Sequence, residues 1–175
     1  MTQQPEREEL DYLFSVTYEE LRRLASTVRR GDPSATLNPT ALVNEAWLKL
    51  AGYPQVSNTS RLHFKRIAAR AMRQVLVEAA RRRNADKRGG RGANFVTFDE
   101  AMSTVACERE LLGLDTALDE LARMEPRQAM MVESRFFGGL EIAEIAELLE
   151  VSEATILRDW RAAKAWLAHT LRPLQ

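Results

Sequence analysis

The sequence predicts an all-α protein of two small helical domains joined by a flexible linker. Three observations lead there. Apolar residues recur at spacings of three and four along nearly the whole chain, and nothing longer than a few residues alternates as a strand would. The segment GGRGANFVTFDE carries Gly89, Gly90 and Gly92 and has no helical stripe, so it reads as a connection. The patterns on its two sides carry opposite charge. A chain of 175 residues has room for two cores, since single domains of roughly 60 to 100 residues are viable though marginal. The expected division is 1–88, a linker over 89–105, and 106–175.

In the first helix Tyr12, Leu13, Val16, Leu21, Leu24 and Val28 are expected to form the buried stripe, and Gly31-Asp32-Pro33 stops it. The second opens at Asn38, an N-cap residue followed by Pro39 at the first helical position, and buries Leu42, Val43, Ala46, Trp47 and Leu50. After the loop AGYPQVSNTS comes a long helix over about 62–84, with Phe64, Ile67, Ala68, Ala71, Met72, Val75, Leu76 and Ala79 inward and arginines over much of the rest. Four shorter helices follow the linker. Their stripes are Leu111, Leu114, Leu118, Leu121 and Ala122; then Ala129, Met130, Val132, Phe136 and Phe137, ended by Gly138-Gly139; then Ile142, Ile145, Ala146 and Leu149; and finally Ile156, Trp160, Ala163 and Leu167.

The formal net charge is zero, yet the charges are segregated. Residues 60–92 hold eleven Lys or Arg against two acids, a net +9, whereas residues 99–153 hold four Arg against fourteen acids, a net −10. Residues 154–175 return to +3. Two separated basic zones predict two places that meet a polyanion, although solvated helix faces would give the same count. The acidic and basic surfaces are also complementary, so the two halves are able to pack on each other, masking DNA-binding residues in a way that salt should loosen.

Other classes find little support. No run of about 18 apolar residues is present and the acidic, polar MTQQPEREEL is unlike a signal peptide, so a cytoplasmic protein with no membrane partner is expected. Cys107 is the single cysteine, and with only His63 and His169 beside it neither a disulfide nor a metal site is expected. No nucleophile elbow, phosphate-cradling loop or His/carboxylate cluster occurs. Neither enzymatic activity nor a cofactor is expected.

Residues 141–166, EIAEIAELLEVSEATILRDWRAAKAW, follow the pattern of a helix-turn-helix. A short acidic helix turns through Glu150 and Val151, and Ser152 caps a second helix. Thr155, Arg158, Arg161 and Lys164 lie away from its apolar stripe, on the side suited to phosphates and base edges in a major groove. An ordinary two-helix corner with a basic face shares this pattern. Glu150 occupies a place where such turns often have glycine, and left-handed backbone there costs a non-glycine residue about 1 kcal/mol. The other basic zone sets Tyr53, His63 and Phe64 beside Arg66, Arg70 and Arg73; cations that track a backbone next to aromatics are equipment for unpaired bases, although Phe64 also fits a core position.

These blocks together resemble an extracytoplasmic-function (ECF) sigma factor of the sigma-70 family. TALVNEAWLKL with HFKRIAARAMRQVLVEAARRRNADKRGG is similar to the family's domain two, and LDELARMEPRQAMMVESRFFGGLEIAEIAELLEVSEATILRDWRAAKAWL to its domain four, together covering about residues 8 to 171. The resemblance implies core RNA polymerase and promoter DNA as partners. By position it assigns Leu42, Asn44, Glu45, Trp47 and Leu48 to the polymerase clamp, and Tyr53 to Phe64 to the capture of a flipped minus-ten base. Arg66, Arg70 and Arg73 fall on the adjoining promoter-facing helix, and Thr155, Arg158, Arg161 and Lys164 on the helix that reads the minus-thirty-five element.

One departure stands out. Most members of the family carry an Asp-Ala-Glu-Asp run before the Leu-Val of the clamp-binding helix, where this chain has Asn38-Pro39-Thr40-Ala41. Thr40 takes the second helical position, where a phosphate gains from the helix N-terminus and adds roughly −1.5 to −2 charge. A serine/threonine kinase that phosphorylates Thr40 is therefore an expected partner. The competing reading is a stand-alone helix-turn-helix transcriptional regulator, which leaves the first basic block unexplained.

Overall fold

A computed structural model describes residues 3–29, 38–52, 59–86 and 108–171. They form seven α-helices: α1 (Gln3–Arg29), α2 (Pro39–Ala51), α3 (Arg61–Asp86), α4 (Glu108–Met124), α5 (Pro126–Gly138), α6 (Ile142–Leu148) and α7 (Glu153–Thr170), with no strand among the described residues. The all-α expectation holds. The linker over 89–105, Cys107 and Tyr53 lie outside the described residues, as do the side chains of Leu24 and Val28.

The local signals act as the residues dictate. Asn38 Oδ1 accepts the Ala41 N–H at 2.7 Å, and Pro39 follows in the first turn of α2. Pro126 similarly opens α5, which closes on Gly139 at φ 62°, a left-handed conformation that glycine adopts without penalty.

Two apolar cores result. Leu10, Leu13, Leu21, Ala25, Leu42, Val43, Ala46, Leu50, Phe64, Ala68, Ala71, Met72 and Val75 join α1, α2 and α3 in one. The other unites α4 to α7 around Leu114, Leu118, Leu121, Met131, Val132, Phe137, Ile145, Ile156 and Leu167, and it also takes in Ala69, Val77 and Ala80 of α3. Thus α3 buries two faces, where the sequence predicts one. Its second face is small enough for a close approach to α5: a Cβ added at Gly138 would lie 3.0 Å from Ala69 Cβ.

The α1 stripe also differs from expectation. Tyr12 and Val16 are exposed, while Thr17 is fully buried between Leu13 and Leu21. A buried threonine is tolerated because its hydroxyl donates to Leu13 O at 2.7 Å, inside its own helix. On α5 the buried methionine is Met131, with Met130 half-buried.

Candidate polymerase and nucleic-acid interface

The first turn of α2 contains no acid, and Thr40 there is exposed. Asn44 and Leu48 follow it at four-residue steps, so the three share one exposed face, flanked by Glu45. Leu48 is 66% exposed. The other expected clamp residues sit inward. Leu42 is fully buried, and Trp47 is half-buried with its ring stacked 4.3 Å from that of Phe14.

On α3, His63 is exposed beside the Ser60 hydroxyl, 3.2 Å from its Nδ1, and Arg70 is exposed with Arg66 half-buried next to it. Phe64 is fully buried in the first core. Its ring supports the helix and has no exposed face in this arrangement.

Arg73 is turned onto the other half of the molecule. Its guanidinium donates to Asp115 Oδ1 at 2.8 Å, to Asp115 O at 2.9 Å, to Asp119 Oδ1 at 2.7 Å and to Glu133 Oε2 at 2.8 Å. Burial pushes its pKa down, but the hydrogen bonds it donates to Glu133 and Asp119, with the charges of Glu133 and Asp115, outweigh that and raise it, so the charge is fixed. Arg81 also reaches Asp115, at 3.1 Å. A cleft of about 230 Å³ lined by Arg70, Arg73, Arg81, Asp115, Asp119 and Glu133 lies over these pairs and is open to solvent.

Lys65, which sequence reasoning passed over, is the second cross-link. It is 6% exposed, with Nζ 3.2 Å from Glu20 Oε2 on α1 and 3.0 Å from Glu144 Oε1 on α6. Arg61 pairs with the same Glu20. Burial pushes the Glu144 carboxyl up, yet the Glu141 N–H and the Lys65 ammonium together hold it below the usual carboxylate range. The only advance signal of these contacts was the segregation of charge between the two halves.

The helix-turn-helix is built by α6 and α7. Ser152 Oγ accepts the Thr155 N–H at 3.2 Å and so caps α7. Glu150 in the turn adopts φ 53°, the left-handed conformation that its position suggested. Ile156, Ala163 and Leu167 are buried, whereas Arg158 and Arg161 are exposed, with Thr155 and Lys164 half-buried beside them. Asp159 points inward and accepts from Arg127 Nε at 2.7 Å. The neighbouring Trp160 has Arg135 5.3 Å from its ring centroid, a cation–π contact that ties α7 to α5.

Among the described residues no group of His, Cys, Asp and Glu is arranged to hold a metal ion, and no helix is long and apolar enough to cross a membrane. No curated protein and no solved structure matches the chain. The family model for ECF sigma factors matches residues 2–173, which takes in every helix from α1 to α7. The chain therefore belongs to the ECF sigma factors: it is an RNA polymerase sigma factor for promoter-specific initiation, with core polymerase and promoter DNA as its partners.

Proposed function

We propose that residues 1–88 and 106–175 act as separable modules that grip two promoter elements while core polymerase holds them in register. The exposed face of α2, with Asn44, Glu45 and Leu48 outward and Leu42 and Trp47 supporting it from below, meets the polymerase clamp. His63, Arg66 and Arg70, with Tyr53 earlier in the chain, serve the minus-ten element. Thr155, Arg158, Arg161 and Lys164 serve the minus-thirty-five element. What supports the latter assignment is the opposition on α7 between a buried apolar stripe and exposed arginines, on the second helix of a helix-turn-helix.

Phosphorylation of Thr40 by a serine/threonine kinase tunes the clamp contact. The carrying observation is an exposed threonine in the first turn of a helix that has no acid there. A phosphate would interact favourably with the helix N-terminus and supply negative charge on the face shared with Asn44 and Leu48. The test measures core-polymerase affinity for wild type, Thr40→Ala and Thr40→Glu before and after kinase treatment. Tighter binding by phosphorylated wild type and by Thr40→Glu is expected; equal affinity in all states would remove Thr40 from the mechanism.

The closed arrangement, with Arg73 held by Asp115, Asp119 and Glu133, belongs to the chain without polymerase. Carboxylates there occupy a guanidinium that would otherwise be offered to a phosphate. Binding to polymerase separates the halves and releases Arg73 for the promoter.

A further inference from the structure

We propose that Leu157 is a specificity-determining residue of α7 and that it contacts the C5-methyl group of one thymine in the upstream promoter element. This rests on the assignment of α7 to that element. The outward face of the helix runs Ala154, Leu157, Arg158, Arg161, at spacings of three, four and seven from the first, and all four residues are exposed. Leu157 is 42% exposed, while Ile156, Asp159, Ala163 and Leu167 point into the protein.

A single exposed leucine is ordinary on a protein surface. Its surroundings make this one different. Ala154, one turn before it, is small and leaves the isobutyl group open on that side, and Arg158 and Arg161 set it within a cationic patch that attracts a polyanion. Beyond Glu153 the only carboxylate on the helix is that of Asp159, which is withdrawn from this face by its 2.7 Å bond to Arg127. The outward surface is therefore both electrostatically suited to DNA and apolar at its middle.

The chemistry of the major groove then selects the ligand. Every base-pair edge there offers hydrogen-bond donors or acceptors, which a hydrocarbon cannot use, and thymine alone adds a methyl group. Leucine discriminates by burying that methyl, and it leaves the flanking arginines to phosphates and guanine. It also disfavours cytosine at the same place, because the N4 amino group would lose water with no acceptor in return.

The test uses holoenzyme assembled from the full chain and core polymerase, with promoter duplexes enriched by that holoenzyme from a randomised pool. Each thymine of the upstream element is replaced singly by deoxyuridine, which removes the methyl and nothing else. Wild type is expected to bind about four-fold more weakly when one particular thymine is replaced, the loss set by about one buried methyl. Leu157→Ala should show no further loss at that position, and Leu157→Met should keep the dependence. The inference is overturned if the enriched element contains no thymine, if no replacement weakens wild type, or if Leu157→Ala retains the full response. Arg161→Ala is measured on the same duplexes: if it weakens binding while methyl dependence is absent, only the role of Leu157 fails; if it too is without effect, the assignment of α7 fails with it.

Discussion

At the scale of single residues, the turn chemistry was the most legible part of the chain. Asn38, Pro39, Ser152 and Gly139 announce their roles because each satisfies a local backbone requirement that no distant contact can alter. Replacing Ser152 by Ala should cost about 1 kcal/mol, read from the midpoint of urea unfolding at constant slope, because the Thr155 N–H loses its acceptor. Glu150 should move the other way. Its left-handed backbone costs a side-chain-bearing residue about 1–2 kcal/mol, part of which glycine loses to unfolded-state freedom, so Glu150→Gly is expected to stabilise by about 0.5–1 kcal/mol in the same titration. A loss of stability in that variant would mean that the Glu150 side chain makes a compensating contact. Less legible were Tyr12 and Val16, whose apolar character suggested burial. The stripe runs instead through Thr17, the residue after Val16, and a threonine that satisfies itself within the helix gives no apolar signal.

At the scale of elements, α3 carries the main lesson. Phe64, Ala68, Met72 and Val75 mark one buried face plainly, but the second face is made of Ala69, Val77 and Ala80. Small residues of that kind are equally at home on a surface, and what gives them meaning is Gly138, sixty-nine residues after Ala69 in the chain. Ala69→Leu should overpack this contact and destabilise the closed arrangement by about 1–3 kcal/mol. Its first-core neighbours are untouched, so far-ultraviolet circular dichroism should stay unchanged while hydrogen exchange quickens along the facing sides of α3 and α5. Unaltered exchange there would show that the two helices separate without strain. For Lys65, identity alone revealed nothing. It is one of eleven cations in its block, and only the convergence of Glu20 and Glu144 on its ammonium distinguishes it.

For the molecule as a whole, segregation of charge foretold the packing of its two halves but not the nature of the interface. The ionic part that lines the open cleft, Arg73 with its three carboxylates, is reached by salt there. The Debye length shrinks from about 10 Å at 0.1 M to about 3 Å at 1 M, so these pairs weaken. The apolar part, Ala69, Val77 and Ala80 against α4 and α5, does not. Small-angle scattering should therefore show only partial expansion of wild type at 1 M salt and full expansion of Arg73→Ala combined with Ala69→Leu. An identical profile for both proteins at both salt concentrations would argue against a closed state held in this way. Acid acts in the same direction. Burial pushes the Glu144 carboxyl up, but the Glu141 N–H and Lys65 hold it below its ordinary value, so their stabilisation of the folded chain is present at neutral pH and is lost as pH falls through the depressed folded value; the share due to Lys65 belongs to the closed arrangement.

The family assignment and the proposed roles of α2, α3 and α7 converge on transcription with purified core polymerase, with the 5′ ends of the products mapped across a library of templates. The account predicts discrete start sites that depend on the chain, strengthen with Thr40→Glu or after kinase treatment, and disappear with Arg158→Ala and Arg161→Ala together. Start sites identical to those of core polymerase alone, for every form of Thr40, would contradict it.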